Sequence, residues 1–179
     1  MKERMLGTEN IYQGRRINLR VDRVMLPSGR ETTREIAAYP NSVGVIALDE
    51  KENVILVRQY RHAVGETLLE IPAGGMEEGE SPQQSALREL EEETGYTAVD
   101  MEEISGIYAA PGYSTEFLHL FVATGLKSGT SSNDEDENIE VVPMPLEDIP
   151  SLIRSGELCD GKSVVGLLSL LLYRGGCGQ

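Results

Sequence analysis

Residues 74–96 read GGMEEGESPQQSALRELEEETGY, and the rest of the chain is best understood outward from this stretch. Four glutamates, Glu89, Glu91, Glu92 and Glu93, crowd the last turns of a predicted helix. That end carries the negative pole of the helix dipole, where cations are favoured. Like charges three and four apart on a helix also repel. A sequence that breaks local rules this plainly has a compensating functional reason. The most economical one is a divalent cation.

The helix itself is well specified. Ser81 is a good N-cap, and Gln84 three residues on completes a capping box. Pro82 falls at the first helical position, where its missing N–H costs nothing. Gly95 suits the left-handed position that ends a helix. These signals predict a helix over Pro82–Thr94, roughly 20 Å long. At about 100° per residue, Ala86, Leu87, Leu90 and Thr94 share the side expected to face the core. Glu89, Glu92 and Glu93 share a neighbouring face, while Glu91 points elsewhere, towards solvent. Three carboxylates on one face, all oxygen donors, suit Mg²⁺ or Mn²⁺. For an isolated run of this kind a solvated acidic face is the commoner meaning, so the surroundings must decide.

The surroundings fit the pattern G-x5-E-x7-R-E-U-x-E-E-x-G-U, with U a bulky apolar residue. Gly74, Glu80, Arg88, Glu89, Leu90, Glu92, Glu93 and Gly95 match it, and Tyr96 fills the last position with an aromatic rather than an aliphatic side chain. This resembles the Nudix box, the signature of the Nudix hydrolases. The resemblance implies a loop–helix–loop that binds divalent metal and hydrolyses a nucleoside diphosphate linked to another group. The chemistry is coherent with the residues. Carboxylates alone would repel a pyrophosphate, whereas bridging metal ions neutralise it and activate water. Arg88 reads as a structural partner of nearby carboxylates through paired hydrogen bonds, with Glu80 as one acceptor. Gly74 and Gly75 allow close backbone approach.

Around this segment the chain divides into readable blocks. Residues 16–26 alternate through Ile17, Leu19 and Val21 and read as a strand. Pro27-Ser28-Gly29 is a turn, and residues 32–39 form a second strand, so the N-terminus is expected to be an antiparallel hairpin. Residues 43–48 and 54–60 are apolar, β-rich runs joined by a charged turn. Residues 67–71, 104–108, 117–123 and 139–144 are further predicted strands. Residues 127–138 are polar and then acidic, which marks a loop. Residues 146–155 and 163–174 are predicted helices. Strands interleaved with helices argue for a mixed sheet covered by helices, an α/β (α+β) class. The expected division is a hairpin region, residues 1–41, and a main domain, residues 42–179.

Composition bounds the function. A chain of 179 residues is of single-domain size. A formal net charge of −14 argues against nucleic-acid or anionic-membrane binding as the main role. No apolar N-terminal segment resembles a signal peptide. The longest apolar stretch, residues 164–173, falls far short of the roughly 20 residues a membrane-spanning helix needs. The two cysteines, Cys159 and Cys177, have no metal-ligand spacing. A reducing cytoplasm is the expected setting.

Flanking segments sharpen the resemblance. Val57-Arg58-Gln59-Tyr60-Arg61 is followed by Leu69-Glu70-Ile71-Pro72-Ala73-Gly74, then by Ala110-Pro111-Gly112-Tyr113-Ser114, and last by Asp134-Glu135-Asp136-Glu137. Together these look like the ADP-ribose pyrophosphatase branch of the Nudix family, over about residues 16–172. That likeness implies an α/β/α sandwich with a central mixed sheet. It implies metal ligation by Glu89, Glu93 and the carbonyl of Ala73, with Glu92 contributing to catalysis. It implies substrate contacts from Arg61 and Glu70, and places Pro111 in a substrate loop; Tyr113 in the same loop is a candidate to stack on a base or ribose, with a half-buried loop position as its equal rival. Arg34 is a candidate phosphate contact from the hairpin, with a surface role as its rival. The acidic loop supplies a carboxylate that resembles a general base or a distal metal ligand. Spacing does not separate Glu135 from Glu137; the preferred arrangement has Glu135 as base and Glu137 as ligand. The adenine of such substrates is often sandwiched by aromatics. This chain has no Trp, so Tyr12, Tyr39 or Tyr113 would have to serve.

The resemblance also implies a homodimer in which the N-terminal region is exchanged, which suits a two-stranded unit that is barely stable alone. The expected activity is hydrolysis of ADP-ribose to AMP and ribose 5-phosphate. The alternatives are another nucleotide, such as GDP-mannose, another sugar nucleotide or an oxidised nucleoside triphosphate, and a catalytically silent ADP-ribose-binding module. The intact set of Glu89, Glu92 and Glu93 argues against the last.

Overall fold

The computed structural model describes residues 2–129 and 139–176. The chain forms two compact units, one of Met1–Asn41 with Tyr108–Phe117, the other of Ser42–Ile107 with Leu118–Gln179.

In the first unit β1 (Arg4–Gln13), β2 (Asn18–Met25) and β3 (Glu31–Ala38) make an antiparallel three-stranded sheet in that order. The expected hairpin is therefore only part of the unit. Strand β1 carries no alternating apolar signal: its residues are exposed or half-buried along its whole length, and it is held by backbone pairing to β2 instead. Asp22 is buried between Thr8, at 2.8 Å, and Arg20. The segment 108–117 is joined to β3 by hydrogen bonds from the Ala37 amide to the Tyr113 carbonyl and from the Thr115 amide to the Ala37 carbonyl.

The second unit is built on a mixed sheet. Its main path is β12 (Glu140–Pro145), β5 (Asn53–Arg61), β4 (Ser42–Leu48), β10 (Phe117–Thr124) and β9 (Asp100–Tyr108). Strand β6 (Glu66–Glu70) also pairs with β5, and β7 (Ala73–Gly75) with β4. Strands β4 and β10 are parallel, whereas β4 and β5 are antiparallel. A short β8 (Tyr96–Thr97) pairs with β11 (Lys127–Ser128).

Strand β4, SVGVIAL, is buried along its whole length, as a strand covered on both faces must be. Its side chains alternate between two cores. Ile46 and Leu48 join Val54, Leu56, Leu120, Ile149 and Leu167 beneath helices α2 (Ile149–Ser155) and α3 (Gly161–Gly176). Val43, Val45 and Ala47 join Ile55 and Phe121 beneath helix α1 (Pro82–Thr94), which contributes Ala86 and Leu90. This is the mixed sheet covered by helices that the interleaved pattern predicts, in the helix–sheet–helix sandwich that the resemblance implies. None of the helices is long and apolar enough to cross a membrane among the described residues.

Helix α1 spans the residues its caps predict. The Ser81 side chain accepts from the Gln84 amide, Gln84 answers at the Ser81 amide, and Gly95 adopts the left-handed conformation at φ 70°. Pro150 lies in the first turn of α2, after a 3₁₀ turn over Leu146–Asp148.

Candidate active site

Helix α1 lays its acidic side against β7, and Arg88 organises the contact. All five guanidinium N–H groups have acceptors. Nε and Nη2 bond the two oxygens of Glu80, each at 2.9 Å. Nη1 bonds Glu89 at 2.8 Å and Glu92 at 3.0 Å, and Nη2 also reaches the Gly75 carbonyl at 3.1 Å. One cation thus offsets three carboxylates, Glu89 and Glu92 on the helix and Glu80 just before it. Ser85 adds a 2.6 Å hydrogen bond to Glu80.

The hydrogen bonds from Arg88, then from Ser85, hold the Glu80 carboxyl down to a pKa of about 2, from an ordinary value of 4.5. A depressed folded-state pKa contributes stability above the ordinary value, and that contribution is lost as pH falls through the folded value. Metal-free protein is therefore expected to lose melting temperature between about pH 4.5 and pH 2, and Glu80→Gln to lose less over that window. Equal slopes in thermal melts of the two proteins would show that the Glu80–Arg88 pair carries no pH-linked stability.

Two glutamates one helical turn apart touch β7. The Glu93 side chain, 6% exposed, accepts from the Ala73 amide at 3.0 Å. Glu89 occupies the space a side chain on Gly74 would need: a Cβ there would lie 2.1 Å from its carboxyl carbon. The glycine is thus a cradle for a carboxylate, beside the carbonyl-bearing backbone of Ala73. Carboxylate and carbonyl oxygens are the donors a hard divalent cation takes, so the residues fit such an ion. Among the described residues, no three acidic, histidine or cysteine side chains already stand close enough together to hold a metal ion by themselves. Glu135 and Glu137 lie outside the described residues.

A second cluster joins β5, β6 and the start of α3. Glu70, at the end of β6, is 1% exposed and receives both Nε and Nη2 of Arg61, at 2.8 and 2.6 Å. The Lys162 ammonium, at the start of α3, meets the same Glu70 oxygen as Arg61 Nη2. Burial pushes the Glu70 carboxyl up, but the Arg61 hydrogen bonds and the Lys162 charge outweigh it and leave it below its usual value. The Arg61 pKa is raised, first by its hydrogen bond to Glu70, against burial, and further by the charges of Glu70, Glu93 and Asp160.

Arg61 and Glu70, proposed from the sequence as separate substrate contacts, are thus partners of each other. Arg34 pairs with Glu3 at 2.6 Å within the first unit. Pro111 and Tyr113 lie in the 108–117 segment of that unit, with Tyr113 exposed. His119, on β10, pairs with Glu103 on β9 at 2.7 Å.

Sequence reasoning missed Lys162 and its supports. The signal for the helix start was present: Asp160 stands before Gly-Lys-Ser and the apolar run, and its carboxylate caps the Ser163 amide at 3.0 Å. Helix α3 accordingly starts at Gly161, two residues earlier than predicted. Nothing local tied Lys162 to a glutamate 92 residues away.

A family model described as NUDIX domain matches residues 38–163. The chain is 40% identical over 174 residues to an ADP-ribose pyrophosphatase of Bacillus subtilis, covering 96% of this chain and 94% of that protein. It is 39% identical over 173 residues to a methanol dehydrogenase activator of Bacillus methanolicus, again covering 96% and 94%. Its fold matches a crystal structure of an ADP compounds hydrolase with a TM-score of 0.90, over 99% of this chain and 97% of that one, at 24% identity.

Proposed function

From the premise that this chain belongs to the NUDIX family, we propose that it is a metal-dependent pyrophosphohydrolase whose substrate is ADP-ribose, cleaved to AMP and ribose 5-phosphate. The observation that carries the reading is the carboxylate cradle, in which Glu89 fills the space beside Gly74 and Glu93 accepts from the Ala73 amide. The half-buried Arg61 guanidinium also feels the charge of Glu93, so ligands for a cation and a counter-charge for an anion belong to one compact unit. The similarity to an ADP-ribose pyrophosphatase over nearly the whole of both chains supports the choice of nucleotide.

Glu89, Glu93 and the Ala73 carbonyl would hold Mg²⁺, with Mn²⁺ as a substitute, and Glu92 stands beside them as a contributor. When bound, the ion supplies charge neutralisation for the pyrophosphate and activation of water. The chain's own residues do the rest. Arg88 keeps Glu89 and Glu92 oriented through fixed hydrogen bonds, the Ala73 amide fixes Glu93, and Arg61 attracts the phosphate against the chain's acidic surroundings. Glu135 is the proposed general base and Glu137 a distal ligand. Arg34, Pro111 and Tyr113 are the proposed further substrate contacts. The three-stranded N-terminal unit is proposed to serve a homodimer. A monomer in sedimentation at micromolar concentration would remove that part of the reading.

The deciding experiment compares kcat/KM for ADP-ribose, GDP-mannose, ADP-glucose, NADH and 8-oxo-dGTP with Mg²⁺ or Mn²⁺. ADP-ribose is expected to be among the best, and its absence from that group would sink the substrate assignment.

The cradle at Gly74 gives a sharper test. Gly74→Ala places a methyl group where Glu89 sits. The obstructing atoms are the end of a flexible side chain, so stability is expected to change by no more than about 1 kcal/mol. Displacing the carboxylate by an ångström or so is expected to cost on the order of 10²-fold in kcat. Unaltered kcat in a well-folded variant would detach Glu89 from the chemistry.

A further inference from the structure

Arg61 has a conflict of duties. It is a counter-ion to Glu70, which at 1% exposure is buried, and a buried carboxylate left without a cation is strongly destabilising. If Arg61 were that carboxylate's sole partner, turning it towards a substrate phosphate would leave the charge uncompensated. Lys162 removes the conflict. Its ammonium bonds the Glu70 oxygen that Arg61 Nη2 also bonds, and it is 83% withdrawn from solvent, its side chain being 17% exposed. Arg61 is by contrast 40% exposed, and its Nη1 has no hydrogen-bond partner among the described residues.

Lys162 is itself held. Asp160 takes its ammonium at 2.9 Å, and the same Asp160 oxygen accepts from the Ser163 amide and hydroxyl. The Ser163 hydroxyl oxygen in turn accepts the Ile71 amide at 2.8 Å, the residue after Glu70. The first turn of α3 is thereby fastened to the end of β6 at the Glu70 carboxylate and at the next backbone amide. The cluster of Arg61, Lys162, Glu70 and Asp160 is electrically neutral in a chain of net charge −14, so it presents no net repulsion to an anion.

We propose that Lys162 is a positioning residue for Arg61: by sharing the charge of Glu70, it lets the guanidinium engage a phosphate group of the nucleotide while the buried carboxylate stays compensated. The inference rests on the reading of Arg61 as a substrate contact.

The test is steady-state kinetics on ADP-ribose with saturating Mg²⁺, alongside thermal melts. Lys162→Met is expected to raise KM at least roughly tenfold with kcat within about threefold, the signature of lost uniform binding. Lys162→Arg, which keeps the charge, is expected to return KM to within about threefold of the parent. In an Arg61→Gln background, which itself raises KM, Lys162→Met is expected to add nothing, because residues acting through one another are not additive. A lowered melting temperature with unchanged KM would make Lys162 a clamp for α3 only and overturn the proposal. So would a kcat loss without a KM change, or multiplying KM effects in the double variant. If Arg61→Gln leaves KM unchanged, the reading of Arg61 falls and the inference with it; if Arg61→Gln raises KM and Lys162→Met does not, the inference alone falls. Should Lys162→Met not fold, Lys162→Gln carries the same comparison.

Discussion

Glu93→Gln is expected to lower kcat by at least roughly 10²-fold, the low end for removing a catalytic group, while leaving the fold in place. The residue is buried at 6% exposure, and its carboxylate accepts a hydrogen bond from the Ala73 amide. A glutamine carbonyl oxygen can accept that bond in the same position, so the contact between α1 and β7 survives. What disappears is the negative charge. Glu89 and Glu93 stand four apart on the helix, a spacing at which like charges repel, so metal-free variant is expected to melt no lower than the parent. The combination is diagnostic: activity falls while the empty protein holds or gains stability. Near-parental turnover at saturating Mg²⁺ would refute the metal assignment, and a lower melting temperature in the metal-free variant would contradict the repulsion argument.

Glu70→Ala is expected to be the most destabilising of the changes considered. The carboxylate is buried and binds two cations. Removing it leaves Lys162, largely withdrawn from water, facing Arg61 with no anion between them. Breaking a buried pair from one side costs about 3–5 kcal/mol. Arg61 is 40% exposed, so water recovers part of its charge and the low end, about 3 kcal/mol, applies. For a chain of this size that is a fall of about 6–12 °C in Tm. In a Lys162→Met background the same substitution is expected to cost less, since one of the two orphaned cations is gone. Thermal melts of the four proteins check both statements, and equal costs in the two backgrounds would mean that Lys162 and Glu70 are not energetically coupled.

The parts of the site visible in the sequence are those fixed by short-range geometry. Helix α1 was legible to the residue because Ser81, Pro82, Gln84 and Gly95 each satisfy a local backbone requirement. The pairing of Arg88 with Glu80 was legible because only eight residues separate them. Strand β4 was legible because a strand covered on both faces must be apolar throughout. Strand β1 was not, because its residues are exposed or half-buried and pairing of backbone groups leaves no mark on side-chain pattern. The partnership of Arg61 with Glu70 lay hidden between two motifs. Strand pairing does not announce it, since the β5–β6 register sets Arg61 opposite Glu66 and Glu70 opposite Val57, and the two meet through the reach of their side chains.

The sequence by itself determined the chemistry that helix α1 can host: which residues form it, where it stops, and that its crowded glutamates need a cation. Local propensity, capping and charge repulsion act within a few residues and are therefore written in order along the chain. Only the tertiary structure decided that Arg88 also reaches Glu89, Glu92 and the Gly75 carbonyl, and that Arg61 and Lys162 share Glu70. Lys162 reaches Glu70 across 92 residues because α3 packs at the end of β6, and that packing is set by the burial of Leu167 and Leu170 against the sheet. Apolar burial is non-directional and long-range in sequence, so it brings charged residues together without any spacing that announces them.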